Sequence, residues 1–195
     1  MPATRVQRHH KALLLAVATA ASVLLFGGCT VREQRGEKGE KKVEVQTPFA
    51  NIKVNTDAKA EDTGLPVYPG ARVKPGSGDD HHSANVNISA GMFALKVAVV
   101  KYESDDAPDK IVGFYRDKLK KFPGTFVECD QTSWVTTRGD RNSDELTCDK
   151  GRHGDAIELK AGTPDRQHIV AVKPNGSGSE FALVYVQKHG KEGEL

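Results

Sequence analysis

The order of apolar and polar residues predicts short β-strands over most of the chain. Residues 85–89 alternate between apolar and polar side chains, whereas residues 93–102 and 181–186 are apolar on both faces. Strands of the second kind are typical of the middle of a sheet. The alternation also predicts strands at residues 43–46, 51–54, 125–129, 145–148, 156–161 and 168–173. Because the intervening turns are short and rich in Gly, Asp and Asn, we expect hairpins and an antiparallel sheet.

One segment has the period of an amphipathic helix. Its apolar residues recur at three- and four-residue spacing, which is typical of a helix that buries one face. These residues are Ile111, Phe114 or Tyr115, Leu119 and Phe122. A proline suits the first turn, and a Pro-Gly pair stops the helix. We therefore predict an α+β fold, in which a mainly antiparallel sheet of short strands is covered by one helix at about residues 106–122.

The first 28 residues have the layout of an export signal. Three basic residues precede an uncharged apolar run at residues 12–26, which is too short to span a bilayer as a helix. Gly27 and Gly28 then lead into Cys29. This arrangement resembles the lipobox of bacterial lipoproteins, although Phe26 stands where that family prefers Leu. Cleavage near Ala20 by a general signal peptidase, or a buried core helix, is the alternative.

The lipobox resemblance implies a lipid anchor. In that family the cysteine thiol receives diacylglycerol, the peptide is cut just before it, and the new amino terminus is acylated. Cys29 would then be the first residue of the mature chain, and two or more acyl chains hold a protein stably. Thr30, rather than Asp, favours sorting to the outer membrane, facing the periplasm. The expected partners are the membrane itself and an envelope protein or cell-wall component.

Composition divides the rest of the chain. Residues 30–42 are dense in charge and Gly, so we expect a flexible stalk, and residues 29–63 hold the lipidated cysteine, this stalk and short strands. Residues 64–187 are expected to form the α+β domain, and residues 188–195 a disordered tail. Without residues 1–28 the chain keeps 25 basic and 26 acidic residues. This near-neutral balance argues against a nucleic-acid partner.

Two cysteines remain besides Cys29. Cys129 and Cys148 lie in an exported chain, where an even number of thiols favours a disulfide. Such a bridge would stabilise the fold by about 3 kcal/mol. The alternative is a pair of buried free thiols. A metal pair is disfavoured, because no C-x-x-C spacing is present.

The start of the predicted domain carries a compact motif. Residues 64–71, GLPVYPGA, combine two prolines with two glycines, and residues 68–71 predict a tight turn with Pro69 and Gly70 at its centre. We expect Leu65, Val67 and Tyr68 to anchor this turn on the domain. The stretch resembles uncharacterised bacterial envelope proteins whose domain opens with P-x-YPGA and has a helix containing a Phe-Tyr pair. That resemblance covers residues 64–187 and implies no known activity.

Candidate chemistry is sparse. A loop at residues 79–82 could hold a transition metal, through the adjacent side chains of Asp79, Asp80, His81 and His82. Asp105 and Asp106 could form an acid–base pair, but their place before a helix favours capping. His153 and His168 are expected at the surface, and Trp134 and Tyr102 are expected to pack rather than to bind sugar.

The sequence therefore predicts no catalytic residues and no cofactor. We expect a lipid-anchored envelope protein with a non-enzymatic binding or scaffolding domain. The alternative is a small-ligand or metal-sensing module that uses the loop at residues 79–82. An enzyme would require polar side chains from several strands to converge in one pocket.

Overall fold

A computed structural model describes residues 29–36, 40–76, 81–130, 145–148 and 155–190. Within these residues the chain forms ten strands and two helices. The strands are β1 (Thr30–Arg35), β2 (Lys41–Gln46), β3 (Ala50–Asn55), β4 (Arg72–Val73), β5 (Ser83–Ala90), β6 (Phe93–Ser104), β7 (Thr125–Cys129), β8 (Ile157–Thr163), β9 (Arg166–Asn175) and β10 (Gly178–His189). The helices are α1 (Ala60–Thr63) and α2 (Pro108–Leu119).

The strands form one antiparallel sheet in the order β1-β2-β3-β5-β6-β10-β9-β8-β7, and β4 pairs with the far end of β6. The prediction of a mainly antiparallel sheet is confirmed. β10 lies in the middle, as its apolar faces predicted, and pairs with β6 and β9 along almost its whole length. β5 and β6 form the predicted hairpin, whose turn contains Gly91 with a positive φ of 55°.

The core lies between α2 and one face of the sheet. The helix buries Ile111, Val112, Tyr115 and Leu119. Opposite these side chains are buried residues of four neighbouring strands: Val100, Tyr102, Leu159, Ala161, Val170, Val172, Phe181 and Leu183. α2 therefore covers the half of the sheet formed by β8, β9 and β10, and α1 packs beside it on β6 and β10.

The predicted single helix is confirmed only in part. α2 is shorter than residues 106–122, and a second helix, α1, lies in a segment for which the sequence predicts no helix. The Asp62 carboxylate accepts a bond from the Lys59 backbone N–H at 2.9 Å, and Gly64 ends the turn with a positive φ of 70°. Ala60 and Thr63 are buried, so the core includes residues before the predicted start at residue 64.

The predicted stalk is not confirmed. Residues 30–35 form β1, which pairs along six residues with β2. All six side chains are exposed, so the strand is held by backbone bonds and not by burial. Charged side chains are common on edge strands because they discourage pairing with other chains. The strands predicted at residues 43–46 and 51–54 are present as β2 and β3.

Two other predictions differ from the structure. Residues 145–148 do not form a strand, although Leu146 is buried. β10 continues to His189, so the first residues of the predicted tail belong to the central strand, which pairs there with β6. Gly190 follows the strand, and residues 191–195 of that tail lie outside the described residues, as do Trp134 and His153.

Candidate functional site

Cys29 lies directly before the outermost strand. Its thiol is free and exposed, and β1 begins at the next residue. The preceding signal, residues 1–28, falls outside the described residues. Within the described part of the chain, neither helix has the length and apolar character needed to cross a bilayer.

Cys129 and Cys148 form the disulfide predicted from the sequence. Their Cα atoms are 5.6 Å apart, and the bridge joins the end of β7 to the segment at residues 145–148. Cys129 is fully buried. On the same strand, Glu128 accepts two bonds from Arg116 of α2, at 2.8 and 2.6 Å. The bond to Arg116 lowers the pKa of Glu128, and this pair ties the helix to the sheet edge.

The turn at residues 68–71 forms as predicted. The Ala71 N–H donates to the Tyr68 carbonyl at 3.0 Å, and Gly70 has a positive φ of 79°. Leu65 is buried beside the turn, but Val67 is 40% exposed and does not anchor it. The anchor is the Tyr68 ring, whose centroid lies 5.2 Å from that of Phe114.

Asp105 and Asp106 hold this turn against the start of α2. The Asp105 carboxylate accepts two bonds from Arg72, at 2.9 and 2.8 Å. Asp106 accepts bonds from Lys110 at 2.6 Å and from the Tyr68 hydroxyl at 2.9 Å. The bond to Arg72 lowers the pKa of Asp105, and the bond to Lys110, followed by that to Tyr68, lowers the pKa of Asp106.

The expectation of capping by these acids is wrong. The N-cap residue is Ala107, which makes no side-chain capping bond. The two carboxylates are paired instead with cations and a phenol, which lock the turn to the helix. The Tyr115 hydroxyl adds a bond to the Pro66 carbonyl at 3.0 Å. The contacts of the turn motif with the Phe-Tyr pair of α2 therefore have a structural role, since they fix the turn to the helix.

A cavity of about 600 Å³ opens between the end of α2 and the sheet, and we call it the helix-end groove. Phe122 and His168 line its wall, with ring centroids 4.1 Å apart and ring planes inclined by 34°. His168 Nδ1–H donates to the Thr63 carbonyl at 2.9 Å. Burial lowers the pKa of His168, outweighing this bond, and the nearby Arg166 lowers it further. The expectation that His168 is a surface residue is met only in part, because the residue lines the groove but is half-buried.

A second hollow of about 460 Å³ meets the groove at Gln187 and His189. The Tyr185 hydroxyl donates to Gln187 Oε1 at 3.0 Å, and Gln187 Nε2 lies 2.7 Å from His189 Nε2. Lys96 Nζ lies 5.9 Å from the centre of the Tyr185 ring. These groups offer hydrogen-bond donors and positive charge to a small polar or anionic ligand.

His81 and His82 border another cleft of about 600 Å³, which is also lined by Asp57 and Glu61. Asp79 and Asp80 lie outside the described residues. In the part of the chain that is described, no three His, Cys, Asp or Glu side chains are placed to hold a metal ion.

The residues of the helix-end groove were not found from the sequence. Gln187 and His189 follow Tyr185 at every second position of β10, so their common face was the available signal. They lie close to Phe122 and His168 only because of the order of the strands in the sheet. The alternation of apolar and polar residues does not reveal that order. Comparison with known proteins adds no family to this description: no family model, curated protein or solved structure matches the chain.

Proposed function

We propose that this chain is a lipoprotein of the bacterial cell envelope, anchored through acyl chains on Cys29 and facing the periplasm from the outer membrane. The observation that carries the proposal is the position of Cys29. It follows an uncharged apolar run and two glycines, and its thiol is exposed outside the core. A thiol in this position is accessible to acylation without disturbing the fold.

The disulfide supports the same location. Structural disulfides persist in oxidising compartments and are rare in the reducing cytosol. Cys129 and Cys148 are paired, whereas Cys29 has no partner cysteine. One disulfide and one free cysteine are what we expect of an exported chain whose remaining thiol receives lipid.

The domain is proposed to bind rather than to catalyse. The polar side chains of the helix-end groove are bonded to one another, as in the series from Tyr185 to His189, and His168 is bonded to a backbone carbonyl. Such an arrangement suits recognition of a polar group on an envelope protein or cell-wall component. We do not propose nucleic acid as a partner, because the numbers of basic and acidic residues are nearly equal.

Intact-mass measurement of the protein isolated from a bacterium that expresses the full chain tests the anchor. We expect a mature chain that begins at Cys29 and carries acyl chains, with Cys129 and Cys148 resistant to alkylation until reduction. The matched control is Cys29→Ser, which should keep residues 1–28 and gain no lipid mass. A chain released without lipid, or retained in the cytosol with its leading segment, would contradict the proposal.

A metal- or small-ligand-sensing role is the second candidate. It is favoured by the position of His81 and His82 at the border of a cleft that also contains Asp57 and Glu61. Zinc or copper retained by the purified protein, and lost in His81→Ala/His82→Ala but not in His189→Ala, would support it. Equal retention by all three proteins would count against this loop.

A further inference from the structure

The most exposed apolar side chains gather at one end of the sheet. Among the described residues, five large apolar side chains are exposed. Met92 is 79% exposed, Phe49 86% and Val31 66%, whereas Val67 and Val73 are 40% and 49% exposed. Since exposed apolar groups cost free energy in water, a cluster of them marks an interaction surface.

Strand register places Met92, Phe49 and Val31 at the same end of the sheet as Cys29. Thr30 pairs with Gln46 where β1 begins and β2 ends, and the turn that follows contains Phe49. Ala90 pairs with both Ala50 and Phe93, so the turn that contains Met92 lies at this same end. β1 to β6 span four strand spacings in this order, about 19 Å at ~4.8 Å each. We call this edge the anchor end.

The turns of the anchor end lack charge. Residues 46–52 and 83–95 contain no Asp, Glu, Lys, Arg or His, although charged residues make up 28% of the chain. A charged side chain resists entry into the hydrocarbon of a bilayer, whereas Phe and Met gain from it. The two hairpin turns are therefore suited to contact with lipid.

The anchor also leaves no spacer. Cys29 is followed directly by β1, which begins at Thr30. Acyl chains on Cys29 would thus bring the start of β1, and the two turns beside it, to the membrane surface. A flexible stalk of a dozen residues, as the composition predicts, would let the domain stand away from the lipid.

We propose that the anchor end inserts Phe49 and Met92 into the boundary of the bilayer that holds the lipid of Cys29, so that the domain stands end-on at the membrane. This inference rests on the proposed function for the anchor. The occupant of the apolar cluster is lipid, because its turns are uncharged and lie at the same end of the sheet as Cys29.

Fluorescence quenching in vesicles tests the proposal. The full chain, isolated from bacterial membranes, is reconstituted into phosphatidylcholine vesicles with a polarity-sensitive fluorophore attached through Met92→Cys. The matched control carries the fluorophore through Val73→Cys, another exposed apolar position, on β4. Mass spectra of both must show Cys129 still paired with Cys148. We expect brominated acyl chains to quench the probe at position 92 at least about threefold more than that at position 73, with iodide in the water showing the opposite order.

A second substitution separates insertion from mere proximity. Phe49→Asp, placed in the Met92→Cys protein, should reduce quenching by the brominated lipid at least about twofold, because a charge at the neighbouring turn resists the hydrocarbon. Val67→Asp should leave it unchanged. Thermal unfolding of each variant shows whether the fold is retained. Quenching is compared only between variants with similar unfolding temperatures.

Other outcomes would show that the anchor end does not contact lipid, that it binds a second copy of the chain, or that Cys29 is not acylated. Equal exposure of both probes to iodide in vesicles that hold acylated protein would overturn the inference. A probe at position 92 shielded without lipid, together with a dimer in light scattering, would assign the cluster to a second copy and also overturn it. If Cys29 proves unacylated, the proposed function fails separately, and the unacylated chain mixed with the same vesicles is measured instead. Quenching at position 92 would then support insertion by the turns alone, and its absence would exclude it.

Discussion

At the scale of single residues, Tyr68 combines two contacts that separate substitutions can remove. Its ring packs on Phe114, and its hydroxyl donates to Asp106 at 2.9 Å. We expect Tyr68→Ala to lower the free energy of unfolding by on the order of 3 kcal/mol, because the loss of a packed ring leaves a cavity. Tyr68→Phe keeps the ring and should cost clearly less. Urea unfolding at pH 7 measures both.

The pH dependence of the stability of Tyr68→Phe tests whether the Tyr68 hydroxyl acts through the Asp106 carboxylate. The bond to Lys110, followed by that to Tyr68, lowers the pKa of Asp106 below its ordinary value of 3.8. A depressed carboxyl pKa contributes stability that is present above the unfolded value and lost as the pH falls through the folded value. The stability difference between the wild type and Tyr68→Phe should therefore shrink below about pH 4. A difference that stays constant to pH 3 would show that the hydroxyl does not act through the carboxylate.

His168 supplies a second prediction at this scale. Burial lowers its pKa in the folded protein below the ordinary value of 6.5. Between the folded and unfolded values the unfolded chain binds more protons, so stability rises with pH there and is lost as the pH falls below about 6.5. We expect His168→Gln to flatten the decline in urea midpoint between pH 7.5 and pH 5. His189→Gln, on the rim of the groove, should keep the wild-type decline, and an unchanged slope in His168→Gln would refute the assignment.

At the scale of secondary-structure elements, β1 is held at the open edge of the sheet by its bonds to β2. Its six side chains are exposed, whereas β10 lies between two partners and buries Phe181 and Leu183. We expect amide hydrogen exchange in β1 to be measurably slower than in an unstructured peptide, yet much faster than in β10. Exchange mass spectrometry of peptides from the two strands makes the comparison. Complete exchange of the β1 amides at the shortest times would instead support the flexible stalk that the composition predicts.

The elements that the sequence predicts correctly are those whose pattern is local. Alternation in β5 and β6, and the helical period from Ile111 to Leu119, are properties of each segment alone. β1 is different, because its composition matches a stalk and only the free edge of β2 makes it a strand. α1 is a single turn, too short to show a period.

The candidate site follows the same division. The disulfide and the turn at residues 68–71 depend on residue types, and both were predicted. The helix-end groove depends on the order of β9 and β10 and on the end of α2, so His168 and Gln187 were not assigned to it. Asp105 and Asp106 were placed near the helix start correctly, but their partners Arg72 and Tyr68 are distant in the sequence.

At the scale of the whole molecule, the sheet has two unequal halves. The buried cluster draws its strand residues from β6, β8, β9 and β10, and within the described residues none comes from β1, β2, β3 or β5. β2, β3 and β5 still alternate apolar and polar side chains, as Val43, Val54, Val86 and Val97 form one row across neighbouring strands. This row lies on the face opposite α2, because Val97 alternates with the buried Ala98 on β6.

Matched substitutions of two valines test this division. Val100 of β6 is 2% exposed in the cluster beneath the helices, whereas Val54 of β3 is only partly buried on the opposite face. We expect Val100→Ala to lower the free energy of unfolding by about 2 kcal/mol, since it removes apolar contacts and leaves a cavity, and Val54→Ala to cost under about 1 kcal/mol. Urea unfolding of both variants, followed by circular dichroism, gives the values. Equal losses at the two positions would mean that the β1–β5 half is packed as tightly as the helix-covered half.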